Sequence, residues 1–102
     1  PQCAEPEGHG PIQQSLAEAA RRDGVWLVGG TLPMAIEGRS DRVRNTCQVF
    51  APDGTPAARY DKIHLFGFRK DDESYDEASF IEPGDMPVAV DTPFGKIALS
   101  IC

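Results

Sequence analysis

Several things that would point to a function are scarce or missing in this sequence. No apolar run approaches the roughly 20 residues that a membrane-spanning helix needs, and residue 1 does not open a signal peptide. We therefore expect a soluble protein that does not engage membranes. The chain begins at Pro1 without an initiator Met, so a missing targeting segment carries little weight and a cytoplasmic location is only the default. Basic patches are also absent. Residues 70–85 hold seven acidic side chains against Lys70, a net −6 that accounts for the −6 of the whole chain. The electrostatic term that dominates nucleic-acid affinity is lacking, and an anionic membrane would repel this surface. Both partners drop out.

Cysteine is sparse too. Cys3, Cys47 and Cys102 are odd in number and widely spaced, which excludes a disulfide framework and a CxxC zinc or redox motif. His9 and His64 have no second ligand at metal spacing, so no metal site is expected. Gly29-Gly30 has neither GxGxxG spacing nor a downstream GK[ST], so a nucleotide-binding role is not supported. The acidic run reads as a solvated loop, and its spacing fails the EF-hand pattern. Internal repeats and low-complexity tracts are absent.

What is present suits one small α/β unit: 102 residues, 40% hydrophobic and 25% charged. The spacing of Ile12, Leu16, Ala19 and Ala20 predicts an amphipathic helix over residues 11–22, with Pro11 in its first turn, Arg21 and Arg22 in its last, and Gly24 as its stop. "VWLVGG", Val25 to Gly30, reads as a short buried strand ended by glycines. The alternation around Pro52-Asp53-Gly54 predicts a β-hairpin with Cys47 and Val49 on one face. Two more short strands are expected around Thr92-Pro93-Phe94-Gly95.

In "RYDKIHLF", strand alternation would place Tyr60, Lys62 and His64 on one face and Asp61, Ile63 and Leu65 on the other. A lysine among apolar residues is commonly a snorkelling surface residue. The functional alternative is a fixed cation that stabilises a developing oxyanion. Cys102 ends the apolar stretch "FGKIALSIC". It is either an inert buried thiol or a nucleophile at a strand end, the position where open α/β folds gather reactive groups.

Taken together, "GGTLP", "NTCQVFAPDG", "ARYDKIHLF", "YDEASFIEPGD" and "TPFGKIALSIC" resemble the nitrilase superfamily of carbon-nitrogen hydrolases, closest to its Nit-like and omega-amidase-like branch. Five ordered motifs with matching gaps cover nearly the whole chain. The resemblance implies an α/β fold, a partial αββα sandwich, with residues 1–102 as a single incomplete domain trimmed at both ends. It implies a Glu-Lys-Cys catalytic set with Lys62 as the lysine, Cys102 as the nucleophile and Glu77 as a further active-site glutamate. Glu73 is the competitor for that last role. The family's general-base glutamate is expected before residue 1, because Glu5 and Glu7 read as loop residues and no strand matches it here.

The implied reaction is cofactor-free hydrolysis of a small omega-amide to carboxylate and ammonia through a cysteine thioester. Nitrile or N-carbamoyl hydrolysis on the same residues is the nearest alternative, and a non-catalytic module that keeps the fold is a more distant one. The resemblance also implies that the full-length protein is a homo-oligomer and that the 102-residue chain by itself is inactive.

Overall fold

The computed structural model describes residues 4–65, 67–70, 73–76 and 80–101. Helix α1 spans Pro11–Asp23, one residue beyond the expected end, and stops at Gly24 in the left-handed conformation at φ 63°. Its N-terminus is capped from a distance. Gly10 has no side chain to offer, and the carboxylate of Glu5 takes over: Oε2 accepts the Ile12 N–H at 2.7 Å and Oε1 the Gln13 N–H at 3.1 Å. A Cβ on Gly10 would stand 2.3 Å from the Glu5 carboxyl carbon, so this approach is open only to glycine.

The central sheet is antiparallel, in the order β1-β2-β3: β1 is Leu27–Ile36, β2 Arg39–Phe50 and β3 Pro56–Asp61. The predicted Pro52-Asp53-Gly54 hairpin is present as the β2–β3 turn, closed by Gly54 N–H to Ala51 O at 2.8 Å with Gly54 at φ 88°. The expectation that the strand after α1 ends at the glycine pair is corrected. β1 continues past Gly29 and Gly30, with a shift in its pairing to β2 between Gly30 and Leu32, and turns at Glu37-Gly38 into β2, so "EGRSDRVR" becomes a hairpin turn and the start of a strand. At Gly29 the helix packs close to the strand, since a Cβ there would meet Leu16 Cδ1 of α1 at 2.7 Å and that side chain would have to shift.

Alternation then sorts the two faces. Gln48 sits in register with Arg59, and Thr46 with Asp61. They face α1, where Gln48 Nε2 donates to Gln13 Oε1 at 3.3 Å. Cys47 in register with Tyr60, and Val49 with Ala58, form the opposite face. Two strands, β6 (Val88–Thr92) and β7 (Gly95–Leu99), pair antiparallel around the expected turn. They pack Val88, Val90, Ile97 and Leu99 against Val49 and Tyr60, with Trp26, Ile63 and Ile101 alongside. The cluster of Val49, Tyr60 and Leu99 thus lies between sheet and hairpin, and Ala20 of α1 and Phe50 of β2 are buried as well.

Within the acidic run the structure again departs from the expected loop. Gly67–Lys70 and Glu73–Asp76 pair antiparallel as a hairpin, β4 and β5. Afterwards residues 80–84 return to the central sheet. Val43 N–H donates to Phe80 O at 3.0 Å and Glu82 N–H to Val43 O at 2.7 Å, so Ile81 bridges Val43 in parallel. Arg42 fastens the same segment through Glu82 Oε1 and Ile81 O, both at 2.7 Å.

Candidate active site

Lys62 follows the last residue of β3. Its N–H donates to Asn45 O at 2.8 Å and its carbonyl accepts the Gly84 N–H at 2.9 Å. Only 4% of the residue is exposed. A snorkelling surface lysine would keep its ammonium in water, so that reading is corrected. Placing a cation where most of its hydration is lost is costly unless the surroundings compensate, which is why buried lysines concentrate at working sites. The expected alternation also fails past Asp61, because β3 ends there. Ile63 packs on the same cluster as Tyr60, and His64 is exposed. His64 therefore does not share a buried face with Lys62.

The two remaining predicted site residues, Cys102 and Glu77, lie outside the described residues, but the segments that lead to them are described. Leu99 of β7 belongs to the same buried cluster as Tyr60, two residues before Lys62, and Ile101 packs on that cluster. On the other side, the segment resuming at Phe80 runs along β2 and reaches Lys62 at Gly84. Glu73, the competitor to Glu77, lies on β5 with its backbone paired to Lys70. The chain thus brings Gly84 onto the Lys62 backbone and Leu99 into the cluster of Tyr60, residues far apart in sequence.

Sequence reasoning missed Glu5. It is 5% exposed, bridges Met34 in parallel, and exchanges backbone hydrogen bonds with Pro33 and Ala35 on the outer edge of β1. It is therefore corrected from a free loop residue to a buried structural carboxylate. Burial works against its charge, but the N–H groups of Ile12 and Gln13 and the Gln13 side-chain amide prevail and hold the carboxyl below its ordinary value. A signal existed in "AEPEGHGP": an acid shortly before a helix whose own cap is glycine.

Cys47 is the described free thiol. It is buried opposite Tyr60, and burial pushes its pKa up. A thiol so placed is a poor nucleophile. We expect native protein to leave Cys47 unlabelled by iodoacetamide at pH 7.5 over a time in which the unfolded chain is fully modified. Mass spectrometry of the Cys47 peptide checks this, and rapid native labelling would show the pocket to be open. Among the described residues, no group of three or more His, Cys, Asp or Glu is placed to hold a metal ion, and no helix is long and apolar enough to cross a membrane.

Comparison with known proteins decides the family. The family model for carbon-nitrogen hydrolases matches residues 1–102. The chain belongs to the carbon-nitrogen hydrolase family. It falls in the Nit-like branch of the nitrilase superfamily. It is 38% identical over 94 residues to omega-amidase NIT2 of Homo sapiens, covering 91% of this chain and 33% of that protein. With the deaminated glutathione amidase of Yersinia enterocolitica it shares 37% identity over 101 residues, or 97% of this chain and 35% of the relative. Among solved structures, the C. elegans NitFhit protein superposes with a TM-score of 0.80 at 32% identity, over 88% of this chain and 22% of that one. Saccharomyces cerevisiae Nit3, a member of branch 10 of the nitrilase superfamily, gives 0.76 at 27% identity, over 98% and 34%. This carbon-nitrogen hydrolase chain spans about a third of the length of the curated relatives it matches.

Proposed function

We propose that the whole protein hydrolyses a small omega-amide to a carboxylate and ammonia, with Cys102 as nucleophile, Lys62 as the oxyanion cation and Glu77 as the glutamate that orients the lysine. The observation that carries this reading is the burial of Lys62 at the end of β3, where its backbone is bonded to Asn45 of β2 and to Gly84. The relatives supply the chemical class, since two of them are named for amidase activity. The layering of α1, the β1–β3 sheet and the β6–β7 hairpin supports half of an αββα sandwich, the other half coming from sequence outside these residues.

In this mechanism the Cys102 thiolate attacks the amide carbonyl, forming the S–C bond as the π electrons move to oxygen. Lys62 offsets that developing charge in a site where most water has been removed. A general-base glutamate, which we place before residue 1, accepts the thiol proton and delivers it to the departing nitrogen. The C–N bond breaks and ammonia leaves, and the resulting thioester is cleaved by water that the same glutamate deprotonates. A free thiolate nucleophile suits a reducing compartment.

The test is ammonia release by the whole protein and by the 102-residue chain on omega-amide, nitrile and N-carbamoyl substrates. We expect turnover of the omega-amide by the whole protein and none by the 102-residue chain, which lacks the proposed base. A preference for the nitrile or the carbamoyl compound would keep the residues and change the substrate class. Failure on all three would leave a non-catalytic module with this fold.

A further inference from the structure

Lys62 is held by more than the β2–β3 ladder. The residue before it, Asp61, is pinned through its side chain, whose Oδ1 accepts the Thr46 hydroxyl at 2.7 Å and the Arg59 Nε–H at 2.9 Å. Thr46 is completely buried, so its hydroxyl is committed to this bond. On the other side lies Gly84, whose N–H reaches the Lys62 carbonyl at 2.9 Å. A Cβ on Gly84 would stand 2.6 Å from the Asp61 carbonyl oxygen and 2.7 Å from the Asp61 Cβ. The obstacle is chiefly backbone, which cannot swing aside as the end of a long side chain can. Gly84 is also outside the set of glycines with positive φ, so the requirement for glycine here is closeness of approach and not backbone conformation.

The segment carrying Gly84 is anchored independently. Arg42 holds Glu82 and Ile81 as described above, and Arg44 Nη1 donates to Pro83 O at 3.0 Å. Two fixed bodies therefore grip the Lys62 backbone: β2 through Asn45 and Thr46, and the 80–84 segment through Gly84. A lysine needs such a grip if it is to act as a fixed charge, because its ammonium rides on a flexible four-carbon stem. An electrostatic stabiliser that must be moved into place during the reaction loses most of its advantage.

We propose that Thr46, Asp61 and Gly84 are positioning residues for Lys62, clamping its Cα from both sides so that its ammonium meets the developing oxyanion without rearrangement. This rests on the reading of Lys62 as the oxyanion cation. The clamp acts on the rate of the chemical step and leaves substrate binding largely alone. Removing the Thr46 hydroxyl leaves the Asp61 carboxylate held by Arg59 without its buried partner on β2, and adding a methyl group at Gly84 forces the 80–84 segment away from β3.

Steady-state kinetics of the whole protein on an omega-amide, with Thr46→Val, Thr46→Ser, Gly84→Ala and Lys62→Ala, tests it. Thr46→Val and Gly84→Ala should each lower kcat by about 10- to 100-fold, the scale of a displacement of about 1 Å at a reacting group, with KM within about threefold. Thr46→Ser, which keeps the hydroxyl, should recover most of kcat, a rescue that simple loss of core packing does not produce. Wild-type kcat in Thr46→Val and Gly84→Ala beside an inactive Lys62→Ala would overturn the clamp and leave the Lys62 reading standing. Equal losses in Thr46→Val and Thr46→Ser that track their thermal midpoints would also overturn it, showing a structural role. Wild-type turnover in Lys62→Ala would remove the reading beneath it. If Gly84→Ala does not fold, the Val and Ser pair at position 46 decides alone.

Discussion

Replacing Cys102 with Ala in the whole protein should lower kcat by about 10⁴-fold or more, as removal of a covalent nucleophile does elsewhere, while the protein folds normally. Replacing Lys62 with Ala should cost about 10²- to 10³-fold, the scale for one preorganised oxyanion donor. The gap between these losses separates the roles. Cys102 makes and breaks bonds, so no neighbour replaces it, whereas Lys62 lowers a barrier that the remaining groups still lower in part. Lys62→Arg should not restore activity, because a planar fork is not a substitute for a compact ammonium in a closed site. Ammonia release with circular dichroism as the folding control measures all three. Near-wild-type rates in Cys102→Ala would remove the thioester from the mechanism, and the same result in Lys62→Ala would make its burial purely structural.

Glu5→Ala should be the most damaging single change to stability outside the core. The carboxylate accepts the N–H groups of Ile12 and Gln13 and also the Gln13 Nε2–H at 3.1 Å, and Gln13 in turn accepts from Gln48 on β2. Its loss uncaps α1 and strands buried donors, at about 3 kcal/mol from one lost cap and one unsatisfied buried group. Glu5→Gln should recover only part of the loss, because whichever way the amide turns its NH2 faces an N–H that now points at a carboxylate oxygen. The loss also depends on pH. Because the folded state holds the Glu5 carboxyl below its ordinary 4.5, the wild type gains this contribution fully above that value and loses it as pH falls through the lower folded-state value. The stability gap between wild type and Glu5→Ala should therefore be constant near neutrality and shrink below about pH 4.5. Chemical denaturation at pH 7, 5 and 3.5 measures it. A gap unchanged at pH 3.5 would show that the carboxylate charge is not what caps the helix.

The contrast between these two predictions marks the reach of the sequence. Cys102 and Lys62 could be proposed as site residues from sequence because each sits inside a motif of contiguous residues. The same holds for α1, whose apolar spacing and terminal Gly24 are local, and for the hairpins at Pro52-Asp53-Gly54 and Thr92-Gly95, whose turn chemistry lies in the turn itself. Family membership was legible for the same reason, through five short motifs in order.

Glu5 was not legible, since its partners are the first turn of a helix that begins six residues later and a β1 edge near Met34. Neither was the course of β1 past Gly29-Gly30: a glycine pair usually ends a strand, but here β1 continues in pairing with β2 after a shift of register between Gly30 and Leu32. The sequence by itself determined the helix, the turns, the family and the residue types available for chemistry, because those depend on neighbours in the chain. Tertiary structure alone decided that Lys62 is buried instead of solvated and that Gly84 and Thr46 flank it. Those facts depend on backbone segments about 15 and 22 residues away closing on one point, a distance at which local propensity carries no information.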